Sequence, residues 1–138
     1  MKQEFILKPG HLTLENIEAL LHSNIRLVLS QKDYSIIKES RELVDNLAEG
    51  TKTIYGINTG FGVLANKKIN KSDLADLQKR LVLSHAVGVG RHLDDTTIKL
   101  ILLLKINGLA QGYSGVSIDL INILLDFYNH GIYPLIPA

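Results

Sequence analysis

Two short stretches of this chain carry residue types and spacings that could do chemistry. The first is YGINTGFG, Tyr55 to Gly62, and the second is SHAVGVG, Ser84 to Gly90. A tyrosine hydroxyl can move a proton, but it acts as a base only where positive charge or hydrogen bonds favour the phenolate. Alone, a loop tyrosine such as Tyr55 is usually a packing residue with a bonded hydroxyl. Gly56, Gly60 and Gly62 admit positive φ angles and close approach of backbone to a ligand or to another chain, or simply tight turns in a surface connection. Asn58 and Thr59 offer side-chain hydrogen bonds that could set the loop's shape. His85 lies on the line of Leu74, Leu77 and Leu81, at helical spacing. It reads as a core histidine, as a cation favoured by the negative end of the helix dipole, or as an imidazole lining an apolar pocket.

Other features lead nowhere chemical. GFGVLA, Gly60 to Ala65, formally fits a dinucleotide fingerprint, which needs a strand before it, a helix opening at it and an acidic residue after a second strand; here a loop containing Lys67 and Lys68 follows and the surroundings are helical. Lys67, Lys68 and Lys71 form a short basic cluster that reads as a solvated loop face. His92 stands seven residues beyond His85, past glycines, and no spacing resembles a metal site; His11, His22 and His130 carry no pattern. With no cysteine, a disulfide framework and a zinc–thiolate centre are both excluded.

The elements that must position Tyr55 and His85 are helical. Glu4 to Leu7 and Arg26 to Leu29 are short extended pieces. Thr13 is expected to cap a helix running to about Leu21, and Ser30, with Asp33 three residues on, a second that ends before Gly50. Residues 51–70 show no helical period. Ser72 is expected to open a third helix and Gly88 to end it. Asp94 and Asp95 start a fourth that runs to about Gln111, favoured by the dipole. Ser117 starts a fifth that Gly131 and Pro134 stop. The fold class is all-α, with at most short β pieces near the N-terminus.

The chain has 138 residues, 46% of them apolar and 21% charged, which suits one globular domain or part of one. A net charge of +1 gives no broad electrostatic case for nucleic acid or an anionic membrane. The N-terminus lacks the apolar core of a signal peptide, and the run Leu100 to Leu104, between two lysines, is too short for a bilayer. A cytoplasmic location is the default, so the glycosylation pattern at Asn70-Lys71-Ser72 carries no weight. The fourth helix is apolar nearly all round, from Ile98 to Leu109. The fifth keeps only a narrow polar stripe of Asp119, Asn122, Asp126 and Asn129. Such helices belong inside something large, so more chain or other subunits are expected to cover them.

The ordered set YGINTGFG, LQKRLVLSHAVGVG, LLLKINGLAQGYSGVSIDLINILL and GIYPLIPA resembles the N-terminal part of the histidine ammonia-lyase family, from Tyr55 to Ala138, with a weaker match before it. The resemblance implies an all-α, fumarase/aspartase-like ammonia-lyase fold, assembled as homotetramers whose active sites draw on several subunits. It implies that residues 1–138 are the N-terminal helical portion, ending just before the segment that carries the prosthetic group. It implies Tyr55 as catalytic base or acid, Gly62 as a shaper of the pocket and His85 as a substrate-binding group, with no metal. The Ser84-His85 pair, where tyrosine and phenylalanine branches have His-Leu or Phe-Leu, favours L-histidine as substrate and trans-urocanate as product. The electrophile implied is a methylidene-imidazolone made from an Ala-Ser-Gly segment, and no such triplet occurs in residues 1–138. The chain alone is therefore expected to be inactive. Arg80 and Gly108 depart from the family pattern at scaffold positions. A non-catalytic helical module that modulates a full-length homologue, and a portion of a tyrosine ammonia-lyase or aminomutase, are the alternatives.

Overall fold

The computed structural model describes residues 3–62 and 67–137. In chain order its elements are β1 (Glu4–Ile6), α1 (Leu14–His22), β2 (Arg26–Val28), α2 (Gln31–Glu49), α3 (Lys71–His85), α4 (Asp95–Leu109) and α5 (Ile118–His130). They fall into two units, one formed by Met1–Arg41 with Gly90–Ala138 and the other by Glu42–Val89.

In the first unit, polar residues just outside the apolar runs set the helix starts. Thr13 accepts from the Asn16 amide while Asn16 returns the bond, a reciprocal box that satisfies two otherwise orphaned donors. Ser30 and Asp33 do the same for α2, at 2.9 and 3.3 Å. Asp94 takes the Thr97 amide at 2.9 Å, a charge-assisted bond that lowers its carboxyl pKa. Ser117 caps α5, which Gly131 closes in the left-handed conformation.

The core of this unit is built from Ile98, Leu102, Leu103 and Ile106 of α4 against Ile121, Leu125 and Tyr128 of α5, with Leu20, Leu27 and Ile37 completing it. Each such aliphatic side chain contributes about 1.5–3 kcal/mol by leaving water. α4 nevertheless keeps Ile101 and Leu104 at 41% and 46% exposure, and α5 keeps Ile123 at 51%. Lys105 stands exposed on α4, and a Cβ at Gly108 would meet open space.

β1 and β2 pair in parallel, Phe5 opposite Leu27. Arg26 and Val28 spend their backbone groups on β1, through Gln3 and Leu7. Leu27, between them, points its backbone groups the other way. There the Asn129 carboxamide of α5 accepts from the Leu27 amide at 2.7 Å and donates to its carbonyl at 2.9 Å. One side chain thus stands in for a third strand. Asn122, on the same stripe of α5, accepts from the Tyr34 hydroxyl at 2.9 Å. Half of the polar stripe is therefore committed to other parts of the protein, while Asp119 and Asp126 are exposed.

The last carbonyls of α1 have side-chain partners from α4 and α5. The Tyr128 hydroxyl donates to Leu20 O at 2.8 Å, and Lys99 Nζ to Leu21 O at 2.9 Å, with the ammonium 5.4 Å from the Tyr128 ring centroid. Burial first, and Tyr133 second, push the Tyr128 phenol from an ordinary 10.0 up to about 12. The folded state then holds this proton to higher pH than the unfolded chain does. Stability from this group is complete below the ordinary value and declines as pH rises from about 10 towards 12. Alkaline unfolding of the chain beside Tyr128→Phe checks it. The variant should be less stable at neutral pH by about 1 kcal/mol, the worth of one hydrogen bond, and lack that alkaline component. Parallel pH profiles for the two proteins would count against this account.

Candidate active-site residues

In the second unit, burial among the described residues falls on the loop rather than on an aliphatic core. Asn58 and Thr59 are 0% and 1% exposed. Leu74, Leu77 and Leu81 on α3 are half-buried, whereas Val82, Leu83, Val87 and Val89 are 64–85% exposed.

Asn58 holds the loop together. Its Oδ1 accepts from the Ile54 amide at 2.8 Å, and its Nδ2 donates to Lys52 O at 2.9 Å. Its own amide donates to Ile54 O, and its carbonyl receives the Ile69 amide at 2.9 Å. Every polar function of this buried residue is used, as burial requires. Thr59 pairs with Lys68 in an antiparallel bridge, Gly60 N donates to Lys67 O, and Lys68 Nζ reaches Gly50 O at 2.9 Å. Lys67 and Lys68 remain exposed, as a solvated face would be. The side chain of Lys71, and Val63, Leu64 and Ala65 of the GFGVLA stretch, lie outside the described residues, as does Ala138.

Tyr55 sits at the apex of the turn that Asn58 closes, with Ile57 N donating to Ile54 O at 3.1 Å. Its ring is 64% exposed and meets Phe61 edge to face at 6.1 Å. Its expected bonded hydroxyl is not found: among the described residues the phenol oxygen has no hydrogen-bond partner, and only the ring is held. Gly56 and Gly62 adopt φ of +76° and +58°, and a Cβ at either would meet nothing within 4 Å. Backbone conformation, not crowding, calls for glycine there, and the space beside both is open.

His85 differs from the core histidine that its spacing suggested. The apolar line of α3 is only half-buried, and His85 at its end is exposed. Its Nδ1 lies 2.8 Å from Leu81 O and 3.1 Å from Ser84 Oγ, and Ser84 Oγ donates to Leu81 O at 2.8 Å. Two expected boundaries of α3 also shift. The N-cap position is Asn70, which makes no side-chain cap bond, and the Ser72 hydroxyl donates to Asp73 instead of capping. The helix ends at His85, not Gly88. Ala86, at φ −81° and ψ 62°, makes an inverse γ-turn in which Val87 N donates to His85 O, so no left-handed glycine is needed.

Tyr55 and Gly62 therefore share one braced loop, joined through Phe61. The hydrogen bonds of the His85 ring stay within its own helix end. Phe61 was not singled out in the sequence, although an aromatic six residues after Tyr55 in a glycine-rich loop is the available signal. Arg80 pairs with Asp76 at 2.7 Å along the exposed surface of α3. Among the described residues no cluster of three or more His, Asp or Glu could hold a metal, and no helix is long and apolar enough to cross a membrane.

A family model for aromatic amino acid lyase matches residues 12–138. The chain belongs to the aromatic amino acid lyase family. It is 48% identical over 138 residues to a histidine ammonia-lyase from Legionella pneumophila, covering 100% of this chain and 27% of that one. To a histidine ammonia-lyase from Vibrio cholerae it is 45% identical over 132 residues, covering 96% and 26%. Among solved structures it is similar to a histidine ammonia-lyase from Trypanosoma cruzi, with a TM-score of 0.87, 30% identity and coverage of 98% and 26%. A tyrosine aminomutase from Streptomyces globisporus gives 0.85, 28%, and coverage of 99% and 26%. The chain spans about a quarter of the length of the relatives it matches, 27% for the first of them.

Proposed function

We propose that this chain is the N-terminal portion of a histidine ammonia-lyase, supplying a proton-transfer tyrosine and a substrate-recognition histidine to a site that other residues complete. The observation that carries this reading is Tyr55. It stands exposed on a loop otherwise closed by fully used hydrogen bonds, in a chain 48% identical throughout to a histidine ammonia-lyase.

The reaction removes ammonia from L-histidine. A Cβ–H bond and the Cα–N bond break, a Cα–Cβ double bond forms, and trans-urocanate leaves with ammonia. The β-hydrogen is barely acidic, so a positioned base is required. Tyr55 takes that role, its ring steadied by Phe61. Gly62 keeps the neighbouring space free of a side chain, and His85 meets the imidazole of the substrate. The family's methylidene-imidazolone makes ammonia a better leaving group, but it forms from Ala-Ser-Gly, which residues 1–138 do not contain. The residues present therefore do not fit that group on their own, and it would have to come from elsewhere in the complete enzyme. A cytoplasmic homotetramer is the matching assembly.

The test is a chimera in which these 138 residues replace the matching segment of the Legionella pneumophila relative. It should release urocanate from histidine, followed by its ultraviolet absorbance. A correctly assembled chimera without that product would overturn the reading.

A further inference from the structure

The contacts around His85 bear on which of its nitrogens carries the proton. A carbonyl oxygen only accepts hydrogen bonds, and Leu81 O lies 2.8 Å from Nδ1. A bare Nδ1 lone pair at that distance would face another lone pair. Ser84 Oγ donates to the same carbonyl at 2.8 Å, so its own lone pairs are left to face Nδ1 at 3.1 Å. Both neighbours therefore present acceptors to Nδ1. The bond made by one ring nitrogen decides the role of the other. His130 repeats the carbonyl contact at the end of α5, with Nδ1 2.9 Å from Asp126 O.

We infer that the Leu81 carbonyl locks neutral His85 as the Nδ1–H tautomer, so that Nε2 faces the substrate as a hydrogen-bond acceptor. This rests on the reading of His85 as the recognition group and adds its polarity. The site then selects amino acids whose side-chain ring offers an N–H donor. The substrate's imidazole supplies that N–H to Nε2, while its second nitrogen is left for other partners. A ring that offers only a lone pair meets lone pair against lone pair and is rejected. A site built to pair a polar group discriminates strongly against analogues that lack it.

Two measurements test this. The first is a long-range proton–nitrogen spectrum of the 138-residue chain above about pH 9, where imidazoles are neutral. His85 is assigned by its absence in His85→Gln. Nδ1 should carry the proton, in the wild type and in Ser84→Ala, which keeps the carbonyl. A predominant Nε2–H form, or an even mixture, would overturn the inference. The second uses the chimera and compares KM for the carbon-linked pyrazol-4-ylalanine, which keeps a ring N–H, with that for thiazol-4-ylalanine, which has only an acceptor nitrogen. Thiazolylalanine should be at least about tenfold weaker, one well-made hydrogen bond to a polar site. Equal values, or the reverse order, would overturn the inference while histidine turnover stood. A chimera inactive on histidine would overturn the lyase reading and leave the tautomer spectrum to be read on its own.

Discussion

Tyr55→Phe in the chimera should lower histidine turnover by about 100- to 10,000-fold, the usual cost of deleting a positioned proton-transfer group. The substitution removes one oxygen atom that has no partner among the described residues. The ring remains, and so does its edge-to-face contact with Phe61. Folding stability should therefore change by only a few tenths of a kcal/mol, as for an exposed position. That contrast is the useful part. Loss of turnover with unchanged thermal stability and unchanged KM assigns the hydroxyl to the chemical step. Turnover within threefold of the parent chimera would remove Tyr55 from the reaction, whatever the family likeness.

Asn58→Ala should act by a different route, loosening the loop itself. Truncation strands the Ile54 amide and the Lys52 carbonyl, both now bonded to the carboxamide. An uncompensated buried polar group costs about 1–3 kcal/mol, and water reaches the exposed Lys52 backbone more readily than Ile54. A loss of about 2–3 kcal/mol in the second unit follows on that basis. Hydrogen exchange at the Ile54 and Ile69 amides should accelerate in step, since Ile69 bonds to the carbonyl of Asn58. Asn58→Asp separates the two functions of the side chain. It still accepts from Ile54 but turns an acceptor towards Lys52 O, so it should also be destabilised unless the carboxyl is protonated. Unchanged exchange in both variants would show that the loop keeps its shape without this residue.

Legibility in the sequence followed the range of the interactions involved. The caps at Thr13, Ser30, Asp94 and Ser117 act within three residues, and each was readable from a polar residue before an apolar run. Asn58 is also short-range, its side-chain partners lying four and six residues away. The boundaries of α3 differ from the expected ones through details that spacing does not reveal: the Ser72 hydroxyl bonds Asp73, and a γ-turn at Ala86 ends the helix at His85. The exposure of His85 was also invisible, since helical periodicity identifies a line of residues but not what lies against it. The Asn129–Leu27 pairing spans 102 residues and belongs to tertiary structure alone. The assignment to a lyase drew on the order of several motifs, not on any one of them. Taken singly, Tyr55 and His85 had ordinary explanations.

The Asn129 carboxamide has a consequence for how copies of this chain behave towards one another. A parallel pair of three-residue strands leaves an outer row of amide and carbonyl groups, and such a row templates the addition of foreign strands. By occupying both backbone groups of Leu27, Asn129 takes the central rung of that row out of circulation. The side chain that completes the sheet is also what keeps β2 from recruiting another.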